Sequence, residues 1–446
     1  MEIYDPRYCA DIGDGFLVKW ATPSECVAYG VLSDTVFRRT ADSPLRDLNA
    51  VAVREWTNGH PYTDHTDIAV VVDADDHVVA GAILLRQSMD YAGVQLGVGR
   101  PEGVVCAAEH RNRGFVRHLF RLLHAKSHAR GDHLQAITGI PYFYRQLGYA
   151  YAIAFDGQAI VSFEHIAGIS STAVPMTLRK ARPDEYHEFV ALYDADRLGR
   201  GLLCTTPLER SYFQHLTGVS TQAFIIDPYF MVSDKGEILG YTLLHRAQYD
   251  GHIAVLGAGL RRDKSWYQLL PGFFAALTAH QPMVQMTNPA IASLSGINFI
   301  LDTEHPLLTQ LQYGTTVRTV APYSWYIRVD DYERFFESVR PIIEARLRRS
   351  SMRGYTGSVT VALYGSAYRL VWEAGSLTTV SAVSLPMMGS GADAGYPADA
   401  FAMQVFGRKS YREIKHWHHE AWASHTAEQL LSILFPTGSS WFLWLN

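Results

Sequence analysis

From Val116 onward, Leu119, Phe120 and Leu123 recur three and four residues apart, with polar residues between them. That period predicts an amphipathic helix. The apolar stretch GVVCAA (103–108) just upstream predicts a strand, so the local order is strand, loop, helix. Nearer the C-terminus, SVTVALYG and YRLVWEAG alternate with period two, which predicts a hairpin. ADAFAMQVFG (398–407) predicts another strand, and TAEQLLSILF a helix with Leu430, Leu431 and Leu434 on one face. The closing residues SSWFLWLN are too apolar to hang in water, which predicts a docked tail.

The same pattern occurs twice, about 160 residues apart. VKWATPSECVAYGVL from Val18 and LRKARPDEYHEFVAL from Leu178 each read as a short strand, a proline at the first helical position, then an amphipathic helix. Thr22 and Glu25 form a capping box around Pro23, and Pro183 and Glu185 hold the matching places. VVDADDHVVAGAILLR (71–86) pairs with FMVSDKGEILGYTLLHR (230–246), each a hairpin with a polar turn and a glycine, Gly81 or Gly240, in its second strand. YRQLGY (144–149) echoes LTQLQY (308–313). Two domains of one α/β fold in tandem are expected, followed by an α+β domain, with linkers near GISSTAVP (168–175) and YSWYIRVDD (323–331). The boundaries fall at residues 1–172, 173–326 and 327–446.

A length of 446 residues agrees with three domains at roughly 150 residues each. Apolar residues make up 48%, enough for large cores. The net charge of −5 is spread without runs, which argues against nucleic acid and suits a cationic substrate. Cys9, Cys26, Cys106 and Cys204 lack metal-binding spacing and read as free thiols of a reducing, cytoplasmic compartment. No signal peptide and no membrane span is expected.

Arg111 and Arg113 beside Gly114 put cations where a helix is already positive. That makes sense if a polyanion sits on the helix start, with Gly114 admitting it to the backbone. Neither GxxxxGK[ST] nor GxGxxG occurs there, which leaves a short R-x-x-G loop suited to a pyrophosphate.

A strand, then Arg111-Asn112-Arg113-Gly114-Phe115-Val116, then a helix and a later FYRQLGY resembles the acetyl-CoA signature of the Gcn5-related N-acetyltransferases (GNAT). Val116 replaces the usual third small residue. That departure, with the length and domain order, is similar to the enhanced intracellular survival (Eis) branch. The resemblance implies tandem acetyltransferase domains, the second degenerate, then a sterol-carrier-protein-like domain. It implies a homo-oligomer, a hexamer in that branch. It also implies acetyl-CoA as co-substrate, no metal, and direct transfer to a small-molecule amine, aminoglycoside-like or another polyamine.

Residue by residue, the resemblance gives Val104, Val105 and Cys106 the pantetheine arm and Arg111 to Val116 the pyrophosphate. Tyr144 becomes the general acid and the carboxylate of Asn446 the base. Leu445 departs from the acidic penultimate residue of well-known members, which removes one contact for a cationic amine. In the second copy, LGAGLRRDKSWYQLL (256–270) sets Asp263, Ser265 and Trp266 where the glycine loop would be, so one cofactor site per chain is expected.

The sets His60/Asp64/His65/Asp67 and His416/His418/His419/Glu420 read as surface polar groups rather than metal ligands, with Asp64 and Asp67 also open to amine recognition. Cys106 reads as a strand thiol, because direct transfer needs no covalent intermediate. Two other functions stand beside the enzyme. One is a lipid-binding protein on a degenerate acetyltransferase, which the intact R-x-x-G and Tyr144 oppose. The other is a protein-lysine acetyltransferase, which no sequence feature separates from a small-molecule enzyme.

Overall fold

The structure, a computed structural model, describes residues 1–38, 48–155, 157–169, 174–218, 225–314, 317–386 and 390–443. Asn446 and the middle of GISSTAVP lie outside the described residues.

The first part of the chain runs β1 (Cys9–Asp11), β2 (Leu17–Trp20), α1 (Pro23–Val36), α2 (Leu48–Thr57), β3 (Ile68–Val72), β4 (Val78–Tyr91), β5 (Val94–Cys106), α3 (Phe115–Ala129), β6 (Leu134–Ile137) and β7 (Ala150–Phe155). Helix α1 opens as its sequence dictates. Thr22 caps it, Pro23 holds the first turn, and the Glu25 carboxylate accepts from the Thr22 amide at 2.7 Å. Gly81 in β4 is needed for packing, since a Cβ there would stand 2.6 Å from the Tyr29 ring of α1.

A second stretch follows: β8 (Gly157–Ser162), α4 (Phe163–Ile169), β9 (Met176–Lys180), α5 (Tyr186–Gly199), β10 (Cys204–Thr205), α6 (Arg210–Thr217), β11 (Ile226–Ser233), β12 (Ile238–His245), β13 (His252–Leu260), α7 (Trp266–Ala279), β14 (Gly296–Leu301), α8 (Pro306–Gly314), β15 (Arg318–Val320) and β16 (Tyr323–Val329). The third is α9 (Tyr332–Arg348), β17 (Gly357–Ala362), β18 (Ala367–Glu373), β19 (Ser376–Val383), β20 (Ala394–Gly395), α10 (Ala398–Val405), α11 (Tyr411–Trp417), β21 (Trp422–Ala423) and α12 (His425–Leu434).

These strands make three sheets in a mixed α/β fold. The first has the order β1-β2-β3-β4-β5-β6-β16-β7, with β10 beside β4. The second has the order β15-β8-β14-β13-β12-β11-β9. Read from β2 in one and from β9 in the other, the two sheets follow the same path, each with a strand inserted next to its last. That inserted strand is exchanged. β16 pairs antiparallel with both β6 and β7, and β8 pairs with both β14 and β15. Residues 323–329 are therefore a buried strand of the first sheet and not the linker expected there. Their run of Ser324, Trp325, Tyr326 and Ile327, all buried, suits a strand covered on both faces.

The third sheet has the order β19-β18-β17-β20-β21. Helix α9 buries Phe335, Phe336 and Val339 in one continuous core with Trp372 of β18 and Trp325 of β16. The hairpin is β17–β18, closing at Ala362 and Ala367. ADAFAMQVFG departs from its expected strand and forms α10. Pro397 precedes it, and Phe401 and Val405 fall four residues apart on a buried face, so the helical period wins over the apparent alternation.

Candidate functional site

Strands β5 and β6 run parallel but share only two register pairs, Val98 with Leu134 and Gly99 with Gln135. β16 pairs along the other side of β6, and β5 continues to Cys106 with an edge left unpaired among the described residues. A free edge of backbone N–H and C=O groups can pair with an extended ligand chain.

The open edge is also bulged. Gly81 pairs with Val105 and Ile83 with Glu102, so Gly103 and Val104 lack register partners. Gly103 sits at φ +57°, and the Tyr29 hydroxyl donates to its carbonyl at 2.7 Å. A Cβ at Gly103 would lie 2.2 Å from that hydroxyl, so only glycine fits. Sequence reasoning missed this clamp, because Tyr29 lies 74 residues away.

The loop after β5 turns through Asn112 at φ +64° and Gly114 at φ +82°. Helix α3 starts at Phe115 with Gly114 as its cap and no side-chain cap bond. Its first turn holds no acid. The amides at the start of a helix have no intrahelical acceptor, and an anion is the natural partner. Arg111, Asn112, Arg113 and Gly114 are exposed, while Phe115 is buried against Phe16. Nothing lies within 4 Å of where a Gly114 Cβ would be.

Bulge, loop and helix start surround a cavity of about 610 Å³. Residues 104–106 and 111–117 line it, together with Tyr144. Every sequence-predicted site residue except Asn446 is thus brought to one cavity. Phe37 and Ile140, large apolar side chains more than half exposed, complete its walls. No periodic signal marked either of them.

Tyr144 belongs to a 3₁₀ turn, Phe143–Leu147, and is 5% exposed. Its ring packs on Phe143 at 5.1 Å, Tyr326 at 5.4 Å and Phe120 at 5.6 Å. Burial pushes its phenol well above the ordinary range, with the nearby Glu102 charge adding to the effect. The hydroxyl has no hydrogen-bond partner among the described residues. Cys106 is half-buried, and burial also raises its thiol, against the pull of Arg111.

The tail docks. Trp441, Phe442 and Leu443 are at most 1% exposed. The Trp441 amide donates to the Cys204 carbonyl at 2.7 Å, and the Leu443 amide to Thr206 Oγ1 at 3.0 Å. The Leu443 carbonyl accepts from Gln87 of β4 at 2.8 Å. The segment therefore lies against the first sheet rather than within the third.

At the corresponding loop of the second sheet, Ser265 caps α7 by accepting from the Tyr267 amide. Asp263 pairs with Arg261 and Lys264, and Trp266 is buried. Arg261 and Lys264 there already have an acid. In the first histidine set, Asp67 is buried between Lys126 and Arg130, and Asp64 caps a 3₁₀ turn. His418 faces Glu420 at 3.7 Å. Among the described residues no group of three or more His, Cys, Asp or Glu side chains is arranged to hold a metal, and no helix is long and apolar enough to cross a membrane.

Residues 18–152 match the acetyltransferase (GNAT) domain family. No curated protein is matched by the sequence. Among solved structures, a GCN5-related N-acetyltransferase from Anabaena variabilis shares 12% identity, covering 96% of this chain and 99% of its own, with a TM-score of 0.66. One from Kribbella flavida shares 16% over 97% and 98%, with a TM-score of 0.66. Eis1 from Mycobacterium abscessus shares 14% over 96% and 100%, with a TM-score of 0.58. Residues 18–152, which carry the bulged strand, the R-x-x-G loop and Tyr144, are an acetyltransferase domain of the GNAT superfamily.

Proposed function

We propose that the protein is an acetyl-CoA-dependent N-acetyltransferase that modifies a small cationic amine. The observation that carries this reading is the single cavity uniting an open, bulged strand edge, an uncapped helix start among arginines and a buried phenol. Acetyl-CoA supplies an activated acetyl thioester.

The chain's residues fit such a donor. The free amides at Gly114, Phe115 and Val116, with Arg111 and Arg113, hold the pyrophosphate. The open edge at residues 104–106 takes the pantetheine arm, and an unpaired N–H beside Gly103 polarises the thioester carbonyl. Tyr144 gives its proton to the departing thiolate. The acceptor amine must lose a proton, and the base we propose is the Asn446 carboxylate. The docking of Leu443 on β4, the end of the described chain, supports this choice.

The common strand path of the first two sheets supports tandem domains of one fold, with the donor site in the first alone. The third sheet, with its helices, is read as the sterol-carrier-like domain, and the assembly as a homo-oligomer.

A thiol-release assay across a panel of polyamines, aminoglycosides and lysine peptides tests the reading. Thiol release that requires a polyamine or aminoglycoside supports it. Release with lysine peptides alone makes the protein a lysine acetyltransferase, and a rate independent of every amine refutes the proposal. Appending a few residues after Asn446 turns its carboxylate into an amide. Turnover then falls steeply and recovers in part at high pH, where more of the amine is neutral. Equal rates for tagged and untagged protein rule out this base.

A further inference from the structure

Three buried or half-buried side chains connect the docked tail to the bulge. Gln87 Nε2 donates to the Leu443 carbonyl at 2.8 Å, and Gln87 Oε1 accepts from Arg100 Nη1 at 2.9 Å. Arg100 Nη2 donates to Glu102 Oε1. Gln87 is 3% exposed and Arg100 1%, and the Arg100 guanidinium lies 5.4 Å from the centre of the Trp325 ring. Glu102 is different. Its side chain is 24% exposed, it immediately precedes the bulge at Gly103, and its Oε2 has no hydrogen-bond partner among the described residues.

Buried polar groups are expensive unless each is satisfied. A glutamine whose amide spends its donor on the tail and its acceptor on an arginine is fixed in orientation. The arginine is fixed in turn and presents one Nη to Glu102. Loss of the tail contact would leave Gln87 free to rotate and would weaken its hold on Arg100. The position of Glu102 therefore depends on whether residue 443 is docked.

Resting on the proposed acetyl transfer, we infer that Gln87 and Arg100 are positioning residues that let the docked tail set the place of Glu102, and that Glu102 anchors a second cationic group of the acceptor. Chain and acceptor chemistry agree. A carboxylate with one oxygen held and the other free, beside the bulge and near Tyr144, meets a diamine or polyamine whose first nitrogen reacts while its second stays charged. An acceptor without a second cation gains nothing from it.

The test is a double-mutant cycle on the full-length protein, reading kcat and KM by thiol release. The acceptors are a diamine and an aniline, which is neutral at pH 7. Gln87→Leu keeps volume and removes both contacts. Gln87→Glu keeps an acceptor for Arg100 and loses the donor to Leu443. Glu102→Gln removes the charge.

With the diamine, each single change should raise KM about tenfold with kcat changed less, and the double variant should be no worse than Glu102→Gln alone. With aniline, the changes should stay within about twofold. Four outcomes are decisive. Non-additive losses confined to the diamine, with Gln87→Glu resembling Gln87→Leu, support the relay. Additive losses overturn it, because residues that act through one another do not add. Equal losses for both acceptors assign Gln87 and Arg100 to packing alone. A wild-type protein that releases thiol with neither acceptor overturns the acetyl-transfer reading itself, and the relay's role with it.

Discussion

Replacing Tyr144 by phenylalanine lowers the turnover rate by about 10²–10⁴, the usual worth of one general acid, while acetyl-CoA affinity stays within a few-fold. The separation follows from the site. The ring is held by Phe120, Phe143 and Tyr326 on its faces and edges, and phenylalanine keeps all of those contacts. The hydroxyl holds no other residue in place among the described ones, so its loss removes a proton donor and little else. Burial raises this phenol, so it stays protonated through the working range and imposes no alkaline limb of its own on the rate below about pH 10. Pre-steady-state kinetics and calorimetry on one preparation check both halves. Normal turnover by the phenylalanine variant would mean that water or another group protonates the thiolate.

Gly114→Glu abolishes donor binding, whereas Ser265→Glu leaves it unchanged. The protein leaves open space at Gly114, so the added side chain meets no neighbour. Its positive φ costs roughly 1–2 kcal/mol for a non-glycine residue. Gly114→Gln carries that backbone cost and the same bulk without the charge, and separates the two effects. What remains is an anion placed on the phosphate position of the helix start. Ser265 occupies the matching place in the second sheet, where its own hydroxyl caps the Tyr267 amide and Asp263 pairs with Arg261 and Lys264. Titration calorimetry should return one donor per chain, a loss of at least about 100-fold with Gly114→Glu, and no change with Ser265→Glu. A stoichiometry of two would contradict the single-site reading.

Local features of the fold were legible and long-range ones were not. The R-x-x-G loop and helix α3 are set by neighbours within a few residues, so spacing alone places them. The β3–β4 and β11–β12 hairpins are written the same way, with polar turns between apolar runs. Tail docking could be read from its Trp and Leu content, but its partner, Gln87, lies 356 residues from Leu443, and nothing in the pattern names it. The Gly103 bulge escaped because one glycine in a strand has many causes, and the ring that demands it sits on α1. Helix α10 was misread because a short alanine-rich run suits either period. Strand β16 was misread because it inserts beside β7, which ended about 170 residues earlier.

That exchanged strand bears on how the protein is made. A ribosome finishes β7 at residue 155, but the strand that separates β7 from β6 is not synthesised until residue 329. At about 5–20 residues per second the gap is roughly 10–35 s. During that interval β6 and β7 present bare hydrogen-bonding edges, which other nascent chains can join. A gene fragment stopping at residue 172 would prolong this state indefinitely. The acyl-donor cleft should therefore appear late in biosynthesis, only after the second sheet's coding sequence has been read.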